Sequence, residues 1–216
     1  MEETTHPRLG PRFNDALVFA ATAHQGQVRK GFDHIPYISH LMGVASLALE
    51  AGADEDLAIA ALLHDAVEDQ GGLVMLQRIR ATFGERVARV VEGCTDSYEM
   101  PKPEWRQRKC EYIRHVRQSA DAETCLVSAA DKLHNARTVL DEHFEIGDRV
   151  FDRFQHGKAD TLWYYRAILH AFETAAVRNR QSEFFPGLVR LLEALGRVIR
   201  ELEHRTGAGP AEECTL

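Results

Sequence analysis

LAIAALLHDAVED, residues 57–69, decides how the rest of the chain is read. An apolar run from Leu57 to Leu63 gives way, within six positions, to His64, Asp65, Glu68 and Asp69. Ala and Leu are strong helix formers and no Gly or Pro interrupts the stretch, which predicts one buried helix from about Asp54. Asp54 is the expected N-cap, because a short carboxylate there accepts from the free amides of the first turn. Residues four apart share a helix face, so His64 is expected beside Glu68 and Asp65 beside Asp69. Acids at a helix C-terminus oppose its dipole, and burying that much charge is costly unless a cation or a substrate compensates it. The plain alternative is a solvated last turn. An acid cluster at the end of an apolar rod favours a functional site.

Composition narrows the class. The 216 residues suffice for one domain with a full core, and 44% hydrophobic with 27% charged residues is ordinary for a soluble globular protein. The formal charge of −7 argues against nucleic-acid binding, since phosphate backbones select basic surfaces; a small anionic ligand needs only a local basic pocket. Cys94, Cys110, Cys125 and Cys214 are widely spaced, without a CxxC pair, and read as reduced thiols of a cytoplasmic protein. No apolar signal core opens the chain and no stretch approaches ~18 uninterrupted apolar residues, so no membrane segment is expected.

Outward from the central stretch, helical spacing recurs and period-two alternation does not. Residues 1–12 read as a flexible lead-in, followed by a helix capped by Asn14 or Asp15 that fails near Gly26. The loop QVRKGFDHIPY carries Arg29 and Lys30, a cation pair that matters only if an anion binds nearby. Ser39 is the expected cap of a helix from His40 to about Ala51, closed by Gly52. The very short turn to Asp54 makes this helix a neighbour of the next and brings His40 within range of His64 and Asp65. Two shorter helices flank Gly84, and TDSYEMPKP, with Lys102, reads as a loop. WRQRKCEYIRHVRQ is amphipathic, with its basic residues read as a solvated face. Asp121 caps a long helix in which Asp131 sits in an apolar register and Asn135 lies one turn on. A loop near Gly147 and Gly157 leads to a helix from about Asp160 containing Tyr164, then to a leucine-striped helix and a tail, 206–216, read as disordered. The expectation is a single all-α domain, residues 13–205, of about eight to ten helices.

The polar residues that do not fit a core are His40, His64, Asp65, Glu68, Asp69 and Asp131, drawn from three helices. Two imidazoles with carboxylates and no thiolate suit Mn²⁺, Fe²⁺, Zn²⁺ or Mg²⁺ and leave positions for water. The order His40, His64-Asp65, Asp131 resembles the metal signature of the HD phosphohydrolase superfamily. AHQGQVRK, PYISH, AALLHDAVED, FGERV, Thr95-Asp96 and ADKLHN further resemble the hydrolase domain of RelA/SpoT-type proteins and the stand-alone small alarmone hydrolases, over roughly residues 13–170.

That resemblance implies one divalent metal, usually Mn²⁺, on His40, His64, Asp65 and Asp131, and a catalytic pair in Glu68 and Asp69. It implies substrate contacts from Arg29, Lys30, Lys102, Asn135 and Tyr164, and a reaction that removes the 3′-pyrophosphate of (p)ppGpp-like alarmones. Leu41 stands where relatives commonly have proline, and Gln70 where they often have threonine; neither is a ligand, and both bear on the base the substrate carries. Adenosine alarmones, (p)ppApp, and NADPH dephosphorylation are the alternative activities on this scaffold. An intact ligand set beside an intact acid pair argues against a nucleotide sensor without turnover. An oligomer is compatible with the sequence and is not readable from it.

Overall fold

The apolar rod is helix α3, Glu55–Leu63, in a computed structural model of the chain that describes residues 9–31, 34–98 and 102–207. Each residue from Leu57 to Leu63 is at most 1% exposed, so the helix is apolar on all sides and surrounded by others. Burying each of Leu57, Ile59, Leu62 and Leu63 contributes about 1.5–3 kcal/mol. Asp54 caps it as expected, its carboxylate accepting from the Leu57 amide at 3.1 Å.

Around this rod lie α1 (Pro11–Ala23), α2 (Ile38–Glu50), α4 (Ala66–Gln70), α5 (Gly72–Phe83), α6 (Glu85–Cys94) and α7 (Trp105–Gln118). After them come α8 (Ala122–Ile146), a 3-10 helix (Gly147–Arg153), α9 (Gly157–Arg178) and α10 (Phe185–Thr206). Among the described residues these are ten α-helices and no strand, as the all-α reading expected; Val28 and Pro36 form one isolated antiparallel bridge. That bridge pinches the α1–α2 connection into a narrow loop, with the Arg29 amide on the Ile35 carbonyl and the Tyr37 amide on that of Gln27. α3 packs against α1, α2, α6 and α8, and the leucine stripe of α10 packs on α8. Gly187 is where α10 crosses the end of α2: a Cβ there would lie 1.7 Å from the Ala51 carbonyl oxygen.

Helix α6 ties two N-termini together. Arg86 reaches the α3 cap Asp54 at 2.6 Å and Glu123 at 2.7 Å, and Arg89 pairs with Asp121, the α8 cap, and with Glu123. Both helices that run toward the polar cluster are thereby fixed at their opposite ends.

Several expectations are corrected. The helix from Asp54 does not run through to Asp69: α3 ends at Leu63 and α4 starts at Ala66. The His64 ring nitrogen Nδ1 lies 2.8 Å from the Ala61 carbonyl, the acceptor an unbroken helix would offer to the Asp65 amide. Glu68 and Asp69 consequently lie in the first turn of α4, where acids suit the dipole instead of opposing it. Helix α1 starts at Pro11 behind Gly10, because proline at the first position needs no amide partner; Asn14 and Asp15 are inside it. Tyr37, not Ser39, precedes α2. The expected loop near Gly147 contains the 3-10 helix, and α9 starts at Gly157. Cys94 and Cys125 are free thiols as expected, and Cys214 lies outside the described residues. So do residues 1–8 of the expected lead-in and 208–216 of the expected tail.

Candidate metal centre and active site

α2 contributes His40, the α3–α4 junction His64 and Asp65, and α8 Asp131, three of them buried and Asp65 about one-fifth exposed. His64 Nε2 lies 3.0 Å from Asp65 Oδ2 and 3.6 Å from Asp131 Oδ1; His40 Nε2 lies 3.5 and 3.2 Å from the same oxygens. Both Nε2 atoms are buried without a hydrogen-bond partner. Orphaned buried acceptors are rare in folded proteins, and two aimed at one point mark a place for a ligand. Ligands about 2.0–2.2 Å from a common cation, at angles between octahedral and tetrahedral, sit about 3.0–3.5 Å apart. Three of these four nitrogen–oxygen separations fall in that range and the fourth, His64 to Asp131, is 3.6 Å; His40, His64 and Asp65 form a compact metal-competent group, with Asp131 at its edge.

The tautomers fit as well. His64 Nδ1 donates to the Ala61 carbonyl, which leaves the Nε2 lone pair free. His40 Nδ1 lies 3.0 Å from Nδ1 of His134, and burial, then the nearby His40 and Arg29, lower the His134 pKa to about 4. Without a cation the cluster is charge-coupled. Burial opposes protonation of His64, but Asp65 and Asp131 prevail and hold its pKa well above the ordinary value. Burial likewise opposes ionisation of Asp131, yet Lys132 and the two histidines hold its pKa well below the carboxylate range.

Glu68 and Asp69 flank this centre without pairing with His64 and Asp65 as the sequence implied. Glu68 Oε1 takes the Lys102 ammonium at 2.6 Å, and Asp69 Oδ2 accepts from Gln27 Nε2 at 2.8 Å, with Lys102 3.9 Å from its other oxygen. Both pKa values are raised: Glu68 by burial and then the charge of Asp96, Asp69 by burial and then that of Asp65. Arg29 Nη2 donates to Asn135 Oδ1 at 2.9 Å, and Asn135 Nδ2 donates to Asp131 at 2.5 Å, which connects the loop cation to the centre. Tyr164 is buried with its hydroxyl unpaired, under the Lys109 ammonium 5.0 Å from its ring. Lys30 is exposed, and the structure does not bring it into this group.

Other members of the site escaped the sequence. Tyr37 donates to Asp65 Oδ2 at 2.6 Å, and burial followed by the Asp65 charge pushes its pKa above the ordinary range, so it stays a donor. Its signal was its place three residues before His40, which should stack it over that face. Arg108 and Lys109, read as part of a solvated face, are instead largely buried on Asp96 at 2.6 Å each, with Arg108 also 4.0 Å from Glu68. Their partner comes from the preceding loop, which a helix-face reading does not include. Lys132 pairs with Asp131.

A cluster of two histidines and an aspartate able to hold a divalent ion is what an HD domain carries, and the chain belongs to that family, whose model matches residues 16–153. Within it the chain is related to the hydrolases of the MESH1 and SpoT/RelA type. It is 39% identical over 125 residues to the guanosine-3′,5′-bis(diphosphate) 3′-pyrophosphohydrolase MESH1 of Danio rerio, covering 57% of this chain and 66% of that protein, just short of two thirds. It is 28% identical over 193 residues to the bifunctional (p)ppGpp synthase/hydrolase SpoT of Escherichia coli K12, covering 88% of this chain and 26% of that one. The solved structure of a metazoan ortholog of SpoT that hydrolyzes ppGpp superposes with a TM-score of 0.70 at 26% identity, covering 91% of this chain and 97% of that one. No helix among the described residues is long and apolar enough to cross a membrane.

Proposed function

We propose that this protein is a metal-dependent hydrolase that removes the 3′-pyrophosphate of (p)ppGpp-like alarmones, releasing pyrophosphate and a nucleoside 5′-phosphate. The observation that carries the reading is the convergence of two buried, unpaired imidazole nitrogens and two carboxylates beside an acid pair and a set of cations. The substrate class comes from the activity that relatives such as MESH1 carry in their names.

In this reading His40, His64 and Asp65, with Asp131 beside them, would hold one divalent ion, Mn²⁺ before Fe²⁺, Zn²⁺ or Mg²⁺. When bound, the ion supplies Lewis acidity and makes water acidic enough to react near neutral pH. Tyr37 and Asn135 fix the Asp65 and Asp131 carboxylates by hydrogen bonds. Glu68 or Asp69 orients the attacking water and moves its proton, and the raised pKa that burial gives both brings them toward the pH at which they work. The P–O bond to the ribose 3′-oxygen breaks as water oxygen bonds to phosphorus, and the leaving oxygen takes up a proton. Arg29 and Lys102 neutralise the phosphoryl oxygens as charge shifts onto them, with the Tyr164 hydroxyl as a further contact.

Purified protein incubated with ppGpp and Mn²⁺ tests this: pyrophosphate should accumulate together with the nucleoside 5′-diphosphate. No release with Mn²⁺, Fe²⁺ or Zn²⁺ sinks the proposal. A parallel panel with ppApp and NADPH assigns the base preference, which Gln70 and Leu41 leave to the shape of the pocket.

A further inference from the structure

His134 has no part in the chemistry above, yet its ring is built into the centre. It stands three residues after Asp131 on α8, and its Nδ1 lies 3.0 Å from Nδ1 of His40, the rings edge to face at 4.8 Å between centroids. Two ring nitrogens at that separation share one hydrogen, so one donates and the other offers a lone pair. His40 Nε2 is the unpartnered atom facing Asp65 and Asp131, which puts the His40 hydrogen on Nδ1 and makes His134 the acceptor.

The backbone of α2 makes room for this contact. Gly43 lies one turn beyond His40, and a Cβ there would meet His134 Cδ2 and Nε2 at 2.3 Å each. A glycine inside a helix is unfavourable relative to alanine, so its presence in α2 needs another reason, and the His134 ring supplies one.

We infer that His134, seated in the slot left by Gly43, is a positioning residue that fixes the tautomer and orientation of His40 for metal binding. It does this with a neutral acceptor, while the backbone carbonyl of Ala61 does the same for His64. The inference rests on the metal reading of the cluster, and the experiment separates the two.

Metal-free protein is titrated with Mn²⁺, binding being followed by loss of the free-ion paramagnetic resonance signal. His134→Phe keeps the ring and removes the acceptor; Gly43→Ala keeps the acceptor and closes the slot; His134→Gln restores an acceptor oxygen. The first two should bind Mn²⁺ roughly 10- to 100-fold more weakly than wild type, and His134→Gln should stay within about threefold, the usual scale for outer partners of metal ligands. Gly43→Ala should lose affinity although alanine favours the helix, and its metal-free melting temperature should not fall, which a general packing defect would not reproduce. Wild-type affinity in both His134→Phe and Gly43→Ala overturns the inference, as does a loss in His134→Gln equal to that in His134→Phe. Wild-type protein that binds no Mn²⁺ overturns the metal reading itself and the inference with it. If His134→Phe does not fold, Gly43→Ala and His134→Gln decide the matter.

Discussion

Asp96→Ala removes the carboxylate on which two largely buried cations depend. Asp96 Oδ1 accepts from Arg108 and Oδ2 from Lys109, each at 2.6 Å, with side-chain exposures of 4%, 10% and 18% for the three groups. An exposed ion pair is worth about 0–1 kcal/mol, whereas removing one partner of a buried pair costs roughly 3–5 kcal/mol, because a charge stays desolvated without compensation. Arg108 keeps the Pro103 carbonyl at 3.2 Å and can turn to Glu68, and Lys109 keeps the face of Tyr164. These residual contacts set the expectation at the lower end, about 3 kcal/mol, or roughly 6–12 °C in Tm for a chain of this length. Urea denaturation of wild type and variant measures it. The pH dependence has a definite sign. Burial alone would raise the Asp96 pKa, but Lys109 and Arg108 hold it below the ordinary carboxylate value. A carboxylate depressed in the folded state stabilises above its unfolded pKa and loses that contribution as pH falls through the folded one. The gap between the proteins should therefore be full at pH 7 and shrink below about pH 4. A loss under about 1 kcal/mol at pH 7, or a gap that widens in acid, would refute the reasoning.

Three further outcomes test the division of labour. Asp131→Ala should lose both metal and activity, while Glu68→Gln keeps its metal and turns over roughly 10²- to 10⁴-fold more slowly; metal analysis beside steady-state kinetics checks this, and equal metal loss would make Glu68 a ligand. Because burial and Asp96 raise the Glu68 pKa, the acid limb of kcat/KM should fall at a pH above the ordinary carboxylate range, and in Asp96→Ala, where Arg108 turns to Glu68, that limb should move to lower pH; a limb unmoved in the variant counts against Glu68 as the titrating group. Arg29→Ala should act mainly on KM, because its guanidinium is already placed by Asn135 before substrate arrives; a fall in kcat with unchanged KM would place its contact in the transition state alone.

The centre was legible because its members break the rules of their neighbourhoods. His64 and Asp65 end a run in which every other residue is apolar, and Asp131 sits in an apolar helix face, so each announces a buried charge needing a partner. The helices were legible from spacing, and the caps Asp54 and Asp121 from residue type. The break after Leu63 was not, because no Gly or Pro marks it; the His64 side chain takes the Ala61 carbonyl there. Arg108 and Lys109 look like a wet face in their own helix; only the approach of Asp96 from a loop makes burial tolerable, and one-dimensional spacing carries no information about that. Lys30 illustrates the reverse: adjacency to Arg29 in sequence put it in the group, while the structure leaves it exposed in the turn after the Val28 bridge.

The family match ends at Arg153, but the physical unit does not. α10 lies wholly beyond that boundary, yet its leucines close the core over α8, and Gly187 lies against the carbonyl that ends α2. The helices that present His40 and Asp131 thus pack directly against a segment outside the matched range. A chain cut at Arg153 would expose the apolar flank of α8 to water and leave the metal ligands on helices free to drift apart. Native-state hydrogen exchange should accordingly find α10 opening together with α8 rather than fraying ahead of it, and domain boundaries drawn from sequence families should not be used to trim this protein.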